Sequence, residues 1–226
     1  MNFIYCSLIG YFIGTISPSY IIAKIKGMDI KKKGSGNAGA SNVLILFGKM
    51  LGVICAVLDI AKAYLSILLA EHLFPDFIHA FAVTGCACII GHIFPFYMKF
   101  KGGKGLACLG GVILKFDAKI FFIILGVEML IALITDYICF VPITASVAFS
   151  IMYGVITNNS LGSTILWIST VAILLKHVEN IHRIKKGTEA HLSYLWKPAA
   201  ELERLKESTG AAPTVFNDHF NLDDDE

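Results

Sequence analysis

The sequence predicts an all-α integral membrane protein with about seven transmembrane helices, some of them short, and cytoplasmic glycine-rich loops. Three observations predict it. Of the 226 residues, 56% are hydrophobic and only 16% charged, and mean hydropathy is +0.70; soluble domains run at roughly 45–50% apolar and about 25% charged. The apolar residues fall in runs near the ~20 that cross a bilayer. The lysines gather in a few of the segments between those runs. A chain this poor in charge cannot cover a soluble core of its size, so a soluble α/β enzyme, a collagen and a disordered chain are all excluded.

The runs follow in order. Residues 1–23 contain no charged side chain, and without a basic start and a short apolar core they read as a retained first span, not a cleaved signal. Further spans are expected at 50–70, 77–98, 105–116, 119–135, 138–157 and 162–182. The segment 105–116 reaches only about 18 Å as a helix, short of a ~30 Å hydrocarbon core. It could instead belong to one long helix through residue 135. Lysine placement decides between the two. The clusters at 24–49, 99–104 and 183–186 belong on the cytoplasmic face of the cell membrane. With the N-terminus outside, that needs an odd number of crossings before residue 183, and seven satisfies it. Residues 71–76 and 157–160, free of lysine and arginine, then lie outside.

Residues 1–190 form one membrane domain and 191–226 a polar, acidic, cytoplasmic tail, expected to be disordered. Residues 197–226 hold eight acidic and three basic side chains, while the rest of the chain is basic. A basic body suits membrane lipid or an anionic small molecule; no nucleic-acid partner is expected, and protein partners are not indicated. The six cysteines show neither zinc nor disulfide spacing, so no metal and no cofactor are expected.

Three polar segments share the cytoplasmic face. The first, Gly34-Ser35-Gly36-Asn37-Ala38-Gly39-Ala40-Ser41-Asn42, follows three lysines. Gly34, Gly36 and Gly39 match a dinucleotide fingerprint formally, but without a strand before them the match fails. What survives is the ability of bare amides to approach a phosphate. The alternative is a flexible loop. The second runs from Gly91-His92 to Lys101-Gly102-Gly103-Lys104-Gly105. Gly105 follows Lys104 where a nucleotide loop needs Ser or Thr, yet a lysine flanked by glycines can still meet a phosphate as a point charge. A positive-inside loop would explain the lysines but not the glycines. The third, residues 177–189, sets His177 and Asn180 about 60° apart on a helix, with Arg183 a further 60° round. An interfacial basic helix end explains Arg183 but not His177 or Asn180. Within the second span Asp59 and Lys62 share a face, where an isolated charge would cost roughly 2.5–3.5 kcal/mol or more. They are expected to pair or to face the polar interior.

Together, Gly34–Asn42, Gly91–Gly105 and His177–Glu189 resemble the three signature motifs of the bacterial acyl-phosphate:glycerol-3-phosphate acyltransferases; Leu58-Asp59-Ile60-Ala61-Lys62 and Ile16-Ser17-Pro18 resemble that family too. The resemblance covers residues 1–190. It implies an enzyme of phospholipid synthesis that moves a fatty acyl group from acyl phosphate to the 1-hydroxyl of glycerol 3-phosphate, giving lysophosphatidate and phosphate, with no metal and no acyl-CoA. It implies catalytic or substrate-binding roles for Ser35, Lys104, His177 and Asn180. Phosphate or substrate contacts are implied at Gly34, Gly36, Asn37, Gly39, Asn42, His92, Gly102, Gly103, Gly105 and Arg183. The chain departs from the family pattern at Ser41 (Thr), Ile45 (Arg), Cys108 (Thr) and His191 (Lys or Arg). Two other readings are a homologue with an altered acceptor or lost catalysis, and an organic-phosphate transporter. His219-Phe-Asn-Leu-Asp-Asp224 fits an HxxxxD pattern but sits in the acidic tail, where chance explains it.

Overall fold

In the computed structural model residues 1–197, with Ala200, Glu201, Glu203 and Arg204, are described, and there is no strand among them. The first apolar run is two helices, α1 (Asn2–Thr15) and α2 (Pro18–Ile25). Pro18 opens α2, where a missing N–H costs nothing, and Ser17 caps it by accepting the Tyr20 amide at 3.3 Å. A short α3 (Ala40–Phe47) leads through Gly48, at φ +90°, into the long α4 (Lys49–Leu73). After α5 (Ala80–Ile93) and a 3-10 turn at Phe96–Met98 comes α6 (Leu106–Phe116). Asp117 is extended and accepts the Ile120 amide at 2.9 Å, which ends α6 and caps α7 (Ala118–Thr135). The chain finishes its spans with α8 (Phe140–Thr157) and α9 (Ser160–Lys185).

Among the described residues six segments are long and apolar enough to cross a membrane, the first being Asn2–Ile25, while α6 is apolar but shorter. The break at Asp117 is why residues 105–135 are two segments and not one. Large apolar side chains stand outward from the bundle, among them Phe122, Ile123 and Ile134 on α7, Val155 on α8 and Leu175 on α9. A lipid-facing surface is built this way.

Glycines set the closest contacts. A Cβ on Gly10 would lie 2.3 Å from the Thr84 carbonyl, one on Gly14 2.2 Å from that of Cys88, and one on Gly91 2.2 Å from that of Tyr11. Helices α1 and α5 therefore run parallel with backbones almost touching, as small residues allow in lipid. On α6, Gly111 presses against the Ile60 carbonyl, midway along α4. The buried core lies between α4, α5, α6, α8 and α9, with Ile67, Ile89, Val112, Phe149 and Ile173 at its centre. All six cysteines are free and buried, in keeping with packing. Glu128 lies inside α7, away from a span end, and its carboxylate accepts the Thr144 hydroxyl at 2.6 Å.

At one end of the bundle Lys115 pairs with Glu71 at 2.6 Å. At the other, the ends of α5 and α9 meet the start of α6. The first described residues of the expected tail contact the bundle. Ser193 donates to the Asp136 carboxylate through its amide and hydroxyl at 2.8 and 2.9 Å, and the His191 ring lies 3.0 Å from the Tyr137 hydroxyl. Most of the acidic stretch, with His219 and Asp224, lies outside the described residues.

Candidate active site

The first polar segment is a loop wound around one side chain. Asn42 is fully buried; its Nδ2 donates to the carbonyls of Ile30 (2.9 Å) and Lys33 (3.1 Å), and its Oδ1 accepts the Ser35 amide at 2.8 Å. Asn42, an expected substrate contact, spends its amide on the loop. Gly34 has φ +58°, and a Cβ there would fall 2.1 Å from Asn42 Oδ1, so both its conformation and the space forbid a side chain. The amide of Gly36 turns to Lys33 at 3.1 Å. The expected row of free amides is thus partly consumed inward at Ser35 and Gly36. Ser35 stands exposed, and Asn37 lies beside Gly39.

The second segment folds back on the end of α5. Gly102 and Gly103 were expected to offer amides to phosphate, but these donate to the carbonyls of Ile93 (3.0 Å) and His92 (3.2 Å). A Cβ would sit 2.1 Å from the His92 carbonyl at Gly102 and 2.1 Å from His92 Nε2 at Gly103. Close backbone approach to the end of α5 is what the missing side chains of those two glycines permit. Gly105, at φ +91°, turns the chain into α6 and leaves Lys104 at that helix's N-terminus. A Cβ on Gly39 would be 3.9 Å from the Gly103 Cα, and Lys31 Nζ donates to the Met98 carbonyl at 3.2 Å, so the first and second segments touch.

His92 does not face a substrate position through Nδ1. It is buried, with Nδ1 3.1 Å from Lys62 Nζ and 3.4 Å from Asp59. Lys62 pairs with Asp59 at 2.7 Å and also donates to the Ile16 carbonyl. Asp59 and Lys62 thus both pair and point inward. Asp59, His92 and Cys108 bring possible ligand atoms within 4.8 Å of one another, but the Lys62 ammonium already occupies the cation's place beside that carboxylate.

The third segment supplies the rest. Lys104 Nζ donates to Asn180 Oδ1 at 2.6 Å, and Asn180 Nδ2 donates to Glu189. Arg183 reaches Glu189 at 2.6 Å and Glu179 at 2.9 Å. One carboxylate therefore aims an amide and a guanidinium, and the amide aims an ammonium. Glu189 was not singled out among the site residues from sequence, although it closes the third segment. Burial pushes the Lys104 ammonium below the usual lysine range and the nearby Arg183 adds to this, with Glu189 acting against both. His177 is buried with Nδ1 2.8 Å from the Ile173 carbonyl. A carbonyl only accepts, so Nδ1 carries a proton, and in a neutral ring Nε2 is the accepting nitrogen.

The structure thus joins Lys104, Asn180, Arg183 and Glu189 directly and brings Gly39 against Gly103. Asn42, His92, Gly102 and Gly103 bond within the loops and to the end of α5 beside them. Fold and site define a class: a multi-pass, all-helical membrane protein with a cationic, hydrogen-bond-ordered site at one end of its bundle. The chain belongs to the glycerol-3-phosphate acyltransferase family, whose model matches residues 4–187. It is 36% identical over 189 residues to the glycerol-3-phosphate acyltransferase of Pseudothermotoga lettingae (84% of this chain, 94% of that one). It is also 36% identical over 204 residues to glycerol-3-phosphate acyltransferase 1 of Oceanobacillus iheyensis (87% and 98%). The crystal structure of PlsY (YgiH), an integral membrane glycerol 3-phosphate acyltransferase, in its glycerol 3-phosphate form, superposes with a TM-score of 0.77 at 30% identity, covering 86% of this chain and 98% of that one. Its lysophosphatidic acid form gives 0.74.

Proposed function

We propose that this protein transfers a fatty acyl group from acyl phosphate to the 1-hydroxyl of glycerol 3-phosphate, releasing lysophosphatidate and inorganic phosphate. The observation that carries the reading is the Lys104–Asn180–Glu189–Arg183 chain, which unites the second and third signature segments at one end of the bundle. The relatives' names and the ligands of the two crystal forms supply the acceptor and product.

The chemistry follows from the residues. The acyl carbonyl is already activated by its phosphate, so no protein nucleophile is needed. The glycerol oxygen bonds to the acyl carbon, the carbon–oxygen bond to phosphate breaks, and the hydroxyl proton passes to the accepting Nε2 of His177. Lys104 and Arg183 hold phosphate charge, and Ser35 and Asn37 line the first loop's rim. Holding two phosphorylated molecules in register removes the entropy cost of their encounter, and cations fixed beforehand favour the charge that develops on the leaving phosphate. The site end faces the cytoplasm, with the N-terminus outside, since the lysine-rich segments all lie at that end. One-sided placement of the polar segments favours an enzyme over a carrier, which needs access from both faces.

Membranes containing the protein, given acyl phosphate and labelled glycerol 3-phosphate, should produce labelled lysophosphatidate. No product, while a known family member turns over alongside, would overturn the assignment.

A further inference from the structure

Beyond residue 187, where the family match ends, the chain returns to the site it has just left. Arg204 is the centre of this return. Its Nη1 donates to the Gly187 carbonyl at 2.8 Å and its Nη2 to the Glu189 carbonyl at 2.7 Å, so one guanidinium grips the backbone on both sides of Thr188. The same guanidinium is held by Glu201, with Nε 3.0 Å from Oε2 and Nη2 on Oε1. Glu201 is buried and also accepts the His191 amide at 2.8 Å. The His191 ring reaches back to Tyr137, and the Leu192 amide donates to the Asp136 carbonyl at 2.6 Å. The loop carrying Glu189 is thereby tied to the α7–α8 turn and to Glu201 and Arg204.

We propose that Arg204, seated by Glu201, is a positioning residue: it fixes the backbone of Glu189, whose carboxylate sets Asn180 and through it the Lys104 ammonium. A planar fork with donors on three nitrogens can hold two carbonyls and a carboxylate at once. A lysine there cannot, because a single ammonium does not span the three acceptors. The proposal rests on the acyl-transfer reading for its kinetic arm and on the geometry alone for its second.

The test uses the full-length protein in lipid nanodiscs. Arg204→Ala should cut kcat/KM by about tenfold or more, with most of the loss in KM for glycerol 3-phosphate, because a misplaced cation weakens the hold on phosphate. Arg204→Lys should not restore it, and Glu201→Gln should shift KM in the same direction by less. In a Glu189→Gln background, Arg204→Ala should add little, since both act through one carboxylate. The second arm needs no turnover: labelling by an amine-reactive reagent, read by peptide mass spectrometry, should quicken several-fold at Lys104 in Arg204→Ala and stay unchanged at Lys49. A wild type that labels as described but makes no product sinks the acyl-transfer assignment and leaves the positioning role standing. Unchanged Lys104 labelling, or additive effects of Arg204→Ala and Glu189→Gln, overturns the positioning role. If Arg204→Ala does not fold, Arg204→Lys and Glu201→Gln decide by the same two readouts: unchanged KM and unchanged labelling in both refute it.

Discussion

The Nζ of Lys104 donates a 2.6 Å hydrogen bond to Oδ1 of Asn180, 76 residues further along the chain. Neither side chain has this position from its own helix alone. The loop before α6 brings the ammonium, and the last turns of α9 bring the amide. Removing the ammonium should lower turnover by about 100-fold or more, the scale seen when one preorganised donor to a charged transition state is lost. Lys104→Ala assayed against wild type at saturating acyl phosphate measures it.

Titration gives a second expectation. Burial and Arg183 hold Lys104 below the ordinary lysine range, so the ammonium is lost earlier than usual as pH rises. KM for glycerol 3-phosphate should therefore climb on the alkaline side, below the pH at which a free lysine would titrate. In Lys104→Arg that limb should move beyond the measurable range, because a guanidinium stays charged. For stability the sign is opposite: a folded pKa held low means the substrate-free protein gains stability above the ordinary lysine range and loses it as pH falls through the lowered value.

The buried pair at Asp59 and Lys62 predicts asymmetric mutational effects. Lys62→Met strands a carboxylate against His92 and should destabilise by about 3–5 kcal/mol, whereas the double change Asp59→Leu with Lys62→Met should cost much less. Thermal unfolding of the purified variants tests the difference.

Gly103→Ala should fail for a reason unrelated to phosphate. Its Cβ would meet His92 Nε2 at 2.1 Å, and His92 is held by Lys62 and Asp59 and has nowhere to go. Overpacking of this kind costs about 1–3 kcal/mol or more. The melting temperature should fall together with activity, and His92→Ala introduced beside it should restore part of the melting temperature.

Ile45, half-buried on α3, stands where the family resemblance places an arginine. Ile45→Arg should lower KM for glycerol 3-phosphate by about tenfold to a hundredfold, the worth of one charge-assisted hydrogen bond at about 1.5–3 kcal/mol. An unchanged KM would show that this chain holds the phosphate fully without it.

Much of this was legible beforehand, and the reasons for the remainder are physical. Apolar run length showed the spans, and lysine placement favoured two segments over one at residues 105–135; Asp117 turned out to be the cap that divides them. Spacing on a helix put Asn180 and Arg183 on one arc, but not their common partner Glu189, which returns from the loop after α9. Gly102 and Gly103 were visible as glycines but not as the residues whose amides close onto α5, because a missing side chain looks the same whether it admits a ligand or a neighbouring backbone. The four-residue spacing of Gly10 and Gly14 was a signal for the contact between α1 and α5 that the reading of the sequence passed over. The Asn42 knot could not be read, since burial of an amide depends on loop geometry that no periodicity encodes.

Helix α6 has eleven residues, about 16 Å, roughly half of a bilayer's oily thickness. Gly111 sits level with the middle of α4, so Lys104, seven residues earlier, lies only about two helical turns from that level. On the proposed acyl-transfer reading, so short a helix lets a donor with a fatty tail present its reactive end from within its leaflet, and the water-soluble acceptor is the one that must descend.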